Sequence, residues 1–170
     1  VGVVCCLDSP ASPVPRVLGA PDPGGWLGLR SMPELDVRNR GAEPGEVRRR
    51  VAEAVSELGP DLVIVGNLHW TAWPEGLIDD LARAGVAVCV YLHDCNHFTG
   101  RCVYTGGCEK FRGGGCDGSC PTPEQYPALP PAEIAPAQGL RLRVFGGERP
   151  RVPVAANSVF MAGCAQAAFG

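Results

Sequence analysis

Two continuous apolar runs with a helical segment between them constrain the fold of this chain most. The runs span 62–68 (LVIVGNL) and 86–92 (VAVCVYL), and between them Leu77, Ile78 and Leu81 recur at the spacing of a helix face. All-apolar strands are typical of parallel sheets that are covered on both faces. A strand, a helix and a strand within about 30 residues predict a βαβ unit, whose crossover is right-handed in nearly all known sheets.

The flanking sequence predicts further elements of the same kind. These are strands at 1–7, 35–37 and 152–156, a helix from Glu46 to Leu58, a poor helix from Leu140 to Phe145 and a helix after Asn157-Ser158. The segment 121–139 holds six prolines in 19 residues and is expected to run as a surface loop. The sum predicts an α/β fold, an open and mostly parallel sheet of Rossmann type.

The length and the charge of the chain exclude several classes of protein. With 170 residues and 45% hydrophobic content, one domain at 1–170 is expected, with a Cys/Gly/Pro-rich loop at 93–131. The net charge of −3 and the scattered basic residues argue against nucleic acid as a partner. No apolar run approaches the about 20 residues of a membrane span, and the first residues lack the pattern of a secretion signal, so a cytoplasmic location is expected.

Polar residues follow three of the predicted strands. They are Asn67 and His69 after the first strand of the βαβ unit, His93 and Asp94 after the second, and Asn157 and Ser158 before the last helix. Ligands of open α/β sheets bind at this edge, because loops and helix N-termini converge there. A histidine can donate to a hydroxyl or a phosphate, and a neighbouring carboxylate can orient it. Structural hydrogen bonding by the histidines and helix capping by Asn157-Ser158 are the alternatives.

Four cysteines are close together in a glycine-rich segment. They are Cys102, Cys108, Cys116 and Cys120, with the spacing C-x5-C-x7-C-x3-C. Four thiolates in a tetrahedral array suit structural zinc, and a segment with so few apolar residues is expected to need a cross-link to become ordered. Two disulfides or free thiols are the alternatives, and Cys95 and His97 are alternative zinc ligands. Nine cysteines, an odd number, favour a reducing compartment and therefore metal.

Two other kinds of chemistry find little support in the sequence. Cys95 stands between His93 and His97, but neighbours in sequence rarely face one another productively, and no oxyanion-forming loop starts a helix beside them. The glycine-rich runs GGWLG and GGGCDG match neither a GxGxxG loop after a first strand nor a P-loop. Covalent cysteine catalysis and nucleotide binding by a glycine-rich loop are therefore not expected.

Four sequence stretches point to a known family. They are GNLHW, LHD, FTGRCVYTGGCEKFRGGGCDGSCPTPEQYP and AANSVFMAG, within 60–169. Together they resemble the N-terminal domain of family 4 glycosyltransferases, close to the colanic-acid-type and related polysaccharide-biosynthesis enzymes. The resemblance implies a two-domain GT-B architecture and transfer of a sugar from a nucleotide-sugar to an acceptor hydroxyl with retention at the anomeric carbon. In that family the N-terminal domain mainly holds the acceptor, and the C-terminal domain holds the nucleotide.

The resemblance also implies roles for individual residues. His93 matches the histidine that contacts the transferred sugar at the interdomain cleft, and Asp94 lies beside it, so these two are the expected catalytic residues. The expected substrate-binding residues are Asn67, His69, Asn157 and Ser158. The implied partners are the nucleotide-sugar, a glycan or lipid-linked acceptor and, for the full-length protein, the membrane surface.

Two departures from the family pattern define the remaining expectations. DSPASPVP stands where the family has a glycine-rich loop near the donor phosphates, and the C-terminal donor domain is absent from these 170 residues. The chain begins without Met and ends as a helical pattern begins, so an inactive piece of a hexosyltransferase-type enzyme is expected. The alternative is a non-catalytic, zinc-clamped Rossmann-like module that binds a partner or serves as a scaffold.

Overall fold

The computed structural model describes most of the chain from Glu43 onward and two short stretches before it. The described residues are 2–5, 28–31, 43–66, 68, 74 and 76–170. They belong to two compact units, one of Val1–Leu62 with Leu68–Leu77 and one of Val63–Asn67 with Ile78–Gly170.

The first unit contains two strands and a long helix. The strands β1 (Gly2–Cys5) and β2 (Gly28–Ser31) pair in parallel, and β1 lies where the sequence predicts it. The helix α1 (Pro44–Leu58) begins with a proline in its first turn and ends at Gly59, which has a left-handed φ of 51°. The buried face of α1 consists of Val47, Val51 and Ala54. The predicted amphipathic helix is therefore confirmed.

The second unit is an α/β structure around a three-stranded sheet. The strands β3 (Val63–Val65), β4 (Val88–Leu92) and β5 (Val154–Ala156) pair in parallel in this order. The helices are α2 (Leu77–Arg83) between β3 and β4, α3 (Pro131–Phe145) before β5, and α4 (Val159–Phe169) after it. Two 3₁₀ turns, Asn96–Phe98 and Arg112–Gly114, lie in the long segment between β4 and α3.

Burial alternates along the central strand β4, as expected for a strand with one face in the core. Val88, Val90 and Leu92 are buried, whereas Tyr91 is 37% exposed. Val90 is the partner of Val65 on one side and of Val154 on the other. The predicted strand–helix–strand order and the parallel α/β character of the sheet are confirmed.

An aromatic cluster connects the segment after β4 to the last two helices. The ring centroid of Phe98 lies 5.6 Å from that of Phe111 and 6.3 Å from that of Phe169. Phe145 lies 6.0 Å from Phe169. Phe98 is fully buried and Phe111 and Phe145 nearly so, so this cluster provides the apolar core around which the cysteine-rich segment folds.

The helix α3 is longer than the sequence predicts, and the expected surface loop up to residue 139 is wrong for its last nine residues. Pro131 lies in the first turn, where its missing N–H breaks no helical hydrogen bond, and Pro136 is tolerated inside the helix. The buried face of α3 includes Ile134, Gln138, Arg141 and Phe145. Two of these four are polar, so the hydrophobic pattern does not reveal the helix.

Two further expectations have different outcomes. The strand predicted at 35–37 lies outside the described residues. Among the helices of the described ranges, none has both the length and the apolar character that crossing a bilayer requires. The cytoplasmic location stays a prediction.

Candidate functional site

The ends of β3, β4 and β5 meet at one edge of the sheet. The side-chain amide of Asn157 donates to the backbone oxygen of His93 at 3.1 Å. A methyl group added at Gly66 would lie 3.3 Å from Nε2 of His93, so the imidazole rests against the residue that follows β3. We call the residues at this edge, Gly66, His93, Asp94, Asn157 and Ser158, the edge cluster. Asn67 and His69, also predicted here, lie outside the described residues.

His93 is the exposed imidazole of the edge cluster. Its ring contacts Tyr91 edge to face, with centroids 4.8 Å apart. The hydrogen bond from Asn157 goes to the backbone of His93 and not to its ring. A ligand at the edge can therefore reach the imidazole without breaking this contact between strand ends.

Asp94 is buried beside His93, with 6% of its surface exposed. Its Oδ1 accepts a hydrogen bond from the backbone N–H of Asn96 at 2.9 Å, which stabilises the turn after β4. Burial raises the pKa of Tyr126, and the Asp94 carboxylate nearby raises it further. Asp94 thus has a structural role and also faces a phenol that is 45% exposed.

Asn157 and Ser158 are exposed residues between β5 and α4. The Ser158 hydroxyl oxygen accepts from the backbone N–H of Met161 at 3.2 Å, and the hydroxyl donates to Oδ1 of Asn157 at 3.1 Å. The capping interpretation is therefore confirmed for Ser158. Substrate binding by the pair stays a prediction.

His97 has a structural position in the second unit. Its Nε2 donates to the backbone oxygen of Gly66 at 3.1 Å, and its ring packs edge to face on Phe145 at 6.0 Å. The imidazole is directed to the end of β3, which does not favour His97 as a zinc ligand.

The four predicted zinc ligands are partly buried free thiols. Cys102 shares a hydrogen bond with Cys120, and Cys116 interacts electrostatically with the other three. Burial raises the pKa of Cys102 and of Cys116. Burial also acts to raise the pKa of Cys120, but hydrogen bonds from the Thr122 N–H and the Arg101 guanidinium lower it overall. In the described part of the chain, no three His, Cys, Asp or Glu side chains are placed at metal-ligand spacing.

Gln138 connects α3 to the cysteine-rich segment. Its Oε1 accepts from the backbone N–H of Cys116 at 2.7 Å. Its Nε2 donates to the backbone oxygens of Phe98 at 3.2 Å and Phe111 at 2.9 Å. With 1% of its surface exposed, Gln138 satisfies three backbone groups in the core.

Two buried arginines hold the same segment at other points. Arg141 donates through Nη1 to the backbone oxygens of Asn96 at 2.6 Å and Thr99 at 2.8 Å. Arg101 donates to backbone oxygens between 122 and 127. Buried polar side chains and aromatic packing thus contribute to the order of the segment, and its need for a cross-link stays a prediction.

Replacing Gln138 with leucine is expected to lower the free energy of unfolding by about 3 kcal/mol, because three buried backbone groups lose their partners. Gln166 is an exposed glutamine on α4 and gives the matched control. Its replacement by leucine should change stability by less than about 0.5 kcal/mol. Urea denaturation of both variants measures the difference, and equal effects would contradict the role assigned to Gln138.

Cys95 does not have the surroundings of a nucleophile. It is 3% exposed, and burial raises the pKa of its thiol to about 11. A nucleophilic cysteine needs a thiolate that its substrate can reach. The structure therefore agrees with the expectation that covalent cysteine catalysis is absent from this position.

The edge cluster offers an exposed imidazole, an amide and a hydroxyl at the ends of parallel strands, and the Tyr126 phenol acts on it through Asp94. Sequence reasoning missed Tyr126, because it lies 32 residues beyond Asp94 and no local pattern places it there. Comparison with protein-family models, with curated proteins and with solved structures finds no match to this chain.

Proposed function

We propose that this chain is the acceptor-side domain of a retaining glycosyltransferase of GT-B architecture. In this proposal the domain is Rossmann-like and holds a glycan or lipid-linked acceptor, while a second domain holds the nucleotide-sugar. The observation that supports it is the exposed His93 imidazole at the carboxyl edge of three parallel strands. Open parallel sheets bind their ligands at that edge.

The mixture of polar groups at the edge suits sugar hydroxyls. Each hydroxyl can donate one hydrogen bond and accept two, so it pairs with the His93 imidazole, the Asn157 amide and the Tyr126 phenol alike. The edge cluster contains no lysine or arginine, which fits a sugar better than a diphosphate. The diphosphate of the donor is accordingly assigned to the second domain.

The proposed reaction joins an acceptor oxygen to the anomeric carbon of the donor sugar. The bond from that carbon to the nucleoside diphosphate breaks with its electron pair on the diphosphate oxygen, and the proton of the acceptor hydroxyl passes to the departing diphosphate. His93 would donate to a hydroxyl of the transferred sugar, and Asp94 beside it would hold the end of β4 in place through Asn96. Without the nucleotide-binding domain the chain has no donor to act on.

A binding measurement on the chain itself tests the acceptor site. Neutral mono- and disaccharides added to the isotope-labelled chain are expected to shift amide resonances of the edge cluster and to leave those of α1 unchanged. A dissociation constant in the millimolar range would support the proposal, since a free sugar offers few of the contacts of a full acceptor. If saccharides shift no edge resonance and a protein partner does, the binding-module alternative replaces the proposal.

Turnover gives the second arm of the test. With UDP- and GDP-hexoses and lipid-linked saccharides, the chain alone is expected to stay far below the rate of about 1 per second that is ordinary for enzymes. The same chain joined to its nucleotide-binding domain should transfer sugar with retention. Turnover at an ordinary enzyme rate by the chain alone would contradict the proposal that a second domain binds the nucleotide-sugar.

A further inference from the structure

Four cysteine side chains from separate turns of one segment come together. Cys102 and Cys120 share a hydrogen bond although they are 18 positions apart. Cys108 interacts with Cys102, and Cys116 interacts with the other three. Each is partly buried and each is a free thiol. We call these four residues the thiol cluster. Apolar contacts do not explain why four thiols lie together, so the thiol cluster points to one metal ion that all four sulfurs bind.

Backbone and side-chain N–H groups already surround the sulfurs. The Gly100 N–H donates to Cys116, and the Thr122 N–H and the Arg101 guanidinium donate to Cys120. A methyl group at Gly100 would lie 2.5 Å from Cγ2 of Ile134 and 3.0 Å from Cβ of Cys116, so this backbone needs glycine to pass between α3 and Cys116. N–H groups that point at sulfur are the outer-shell partners of metal-bound thiolates.

Two cations lie beside the thiol cluster. The Lys110 ammonium interacts with Cys108 and Cys120 and donates to Asp117 at 2.9 Å, while the Arg101 guanidinium contacts Cys120 directly. A divalent ion held by four thiolates has a net charge of about −2. Lys110 and Arg101 are placed to offset this charge.

We propose that the thiol cluster binds one zinc ion through Cys102, Cys108, Cys116 and Cys120. The sulfurs form a contact cluster, not yet a coordination sphere, because no three described ligands have metal spacing. Zinc binding therefore requires movements that bring all four sulfurs to about 2.3 Å from the ion. This site goes beyond the proposed glycosyl transfer and does not depend on it.

Metal analysis of the chain purified under reducing conditions is expected to find about one zinc per chain. Titration with Co²⁺ in place of zinc should give thiolate-to-metal charge transfer together with the d–d bands of tetrahedral cobalt. Both measurements are independent of sugar transfer, so their failure leaves the proposed function standing.

Serine variants locate the site. Cys108→Ser and Cys116→Ser should each lower bound zinc from about one per chain to near zero, because three thiolates hold the ion much less tightly. Cys89→Ser and Cys164→Ser change half-buried free thiols outside the thiol cluster and should keep full zinc content. Zinc that survives in Cys108→Ser and Cys116→Ser would overturn the assignment.

The mass of the intact chain under non-reducing conditions separates the remaining outcomes. A metal-free chain that is lighter by four hydrogens contains two disulfides, and this overturns the zinc proposal. A metal-free chain of full mass holds free thiols, which overturns it equally.

Discussion

Replacing His93 with alanine is expected to lower glycosyl transfer on the order of 100-fold, the loss that follows when one preorganised donor is removed from a reacting group. The assay uses the chain joined to the nucleotide-binding domain of the proposed enzyme. Stability should change by less than about 0.5 kcal/mol, since the imidazole is exposed. The hydrogen bond from Asn157 goes to the backbone of residue 93 and remains in the variant.

The control for this variant is Tyr104→Ala, which removes a side chain that is 79% exposed in the cysteine-rich segment. Transfer and stability should both stay at their original values in this control. An unchanged rate in His93→Ala would leave His93 as a residue that only packs on Tyr91. A matched fall of rate and stability would make its role structural.

Asp94→Asn is the companion variant. It removes the negative charge of Asp94 and keeps the side-chain oxygen that stabilises the turn after β4. Asparagine keeps an Oδ1 that can accept from the Asn96 N–H, so the turn after β4 should persist. Any loss of transfer then reports the carboxylate itself and its effect on Tyr126. Unchanged transfer would restrict Asp94 to holding the turn.

The sheet could be predicted from sequence because its signals are local. The stretches 62–65 and 86–92 are apolar without interruption, and Gly85 permits the turn between α2 and β4 with its φ of 83°. The strand-end rule then predicts that His93 and Asn157 lie at one edge of the sheet, as they do. Sequence patterns thus predict the elements that are stabilised mainly by residues close to them in the chain.

The full length of α3 could not be predicted, because its stabilising contacts are long-range and polar. Gln138 reaches the backbone of Phe98 across 40 positions, and Arg141 reaches that of Asn96 across 45. A polar residue in a helix normally indicates the solvated face. Here two polar residues lie on the buried face, so the hydrophobic period does not reveal the first part of the helix. The prolines of the same stretch favour a loop instead.

The same long-range contacts explain why the cysteine-rich segment was expected to need a cross-link. Its own residues provide few apolar side chains, apart from Phe98 and Phe111. The helix α3 adds stabilisation, through Ile134 and the two polar residues of its buried face. Whether zinc adds to this stabilisation is measured by the metal analysis, separately from whether the segment is folded.

Arg101→Met is expected to give the largest loss of stability in the cysteine-rich segment, about 3 kcal/mol. The guanidinium is 3% exposed and donates to the backbone oxygens of Gln125 at 2.6 Å, Pro127 at 3.1 Å and Thr122. Methionine fills much of the same volume but offers no donor, so three carbonyl groups lose a partner together. Arg101→Lys keeps the charge but cannot span three carbonyls with one ammonium, and it should fall in between.

Hydrogen exchange read peptide by peptide is the measurement for Arg101, because it reports the segment separately from the sheet. Exchange between 100 and 130 should accelerate about 100-fold in Arg101→Met, since each 1.4 kcal/mol corresponds to a factor of ten. Arg112→Met is the matched control, because Arg112 is exposed and pairs with Glu109 at 3.3 Å, a contact of small value. We call the hydrogen bonds from Arg101 to these three carbonyl groups the Arg101 clamp. Equal exchange in both variants would contradict its stabilising role.

The Arg101 clamp also has a consequence for the edge of the sheet. Gln125 and Pro127, which accept from Arg101, stand on either side of Tyr126, whose phenol lies near Asp94. Loss of the clamp should therefore displace Tyr126 and raise the KM for the acceptor, while His93 stays in place on β4 and kcat changes little. If kcat falls and KM does not, the segment influences the reacting groups themselves, and Tyr126 is not the residue through which it acts.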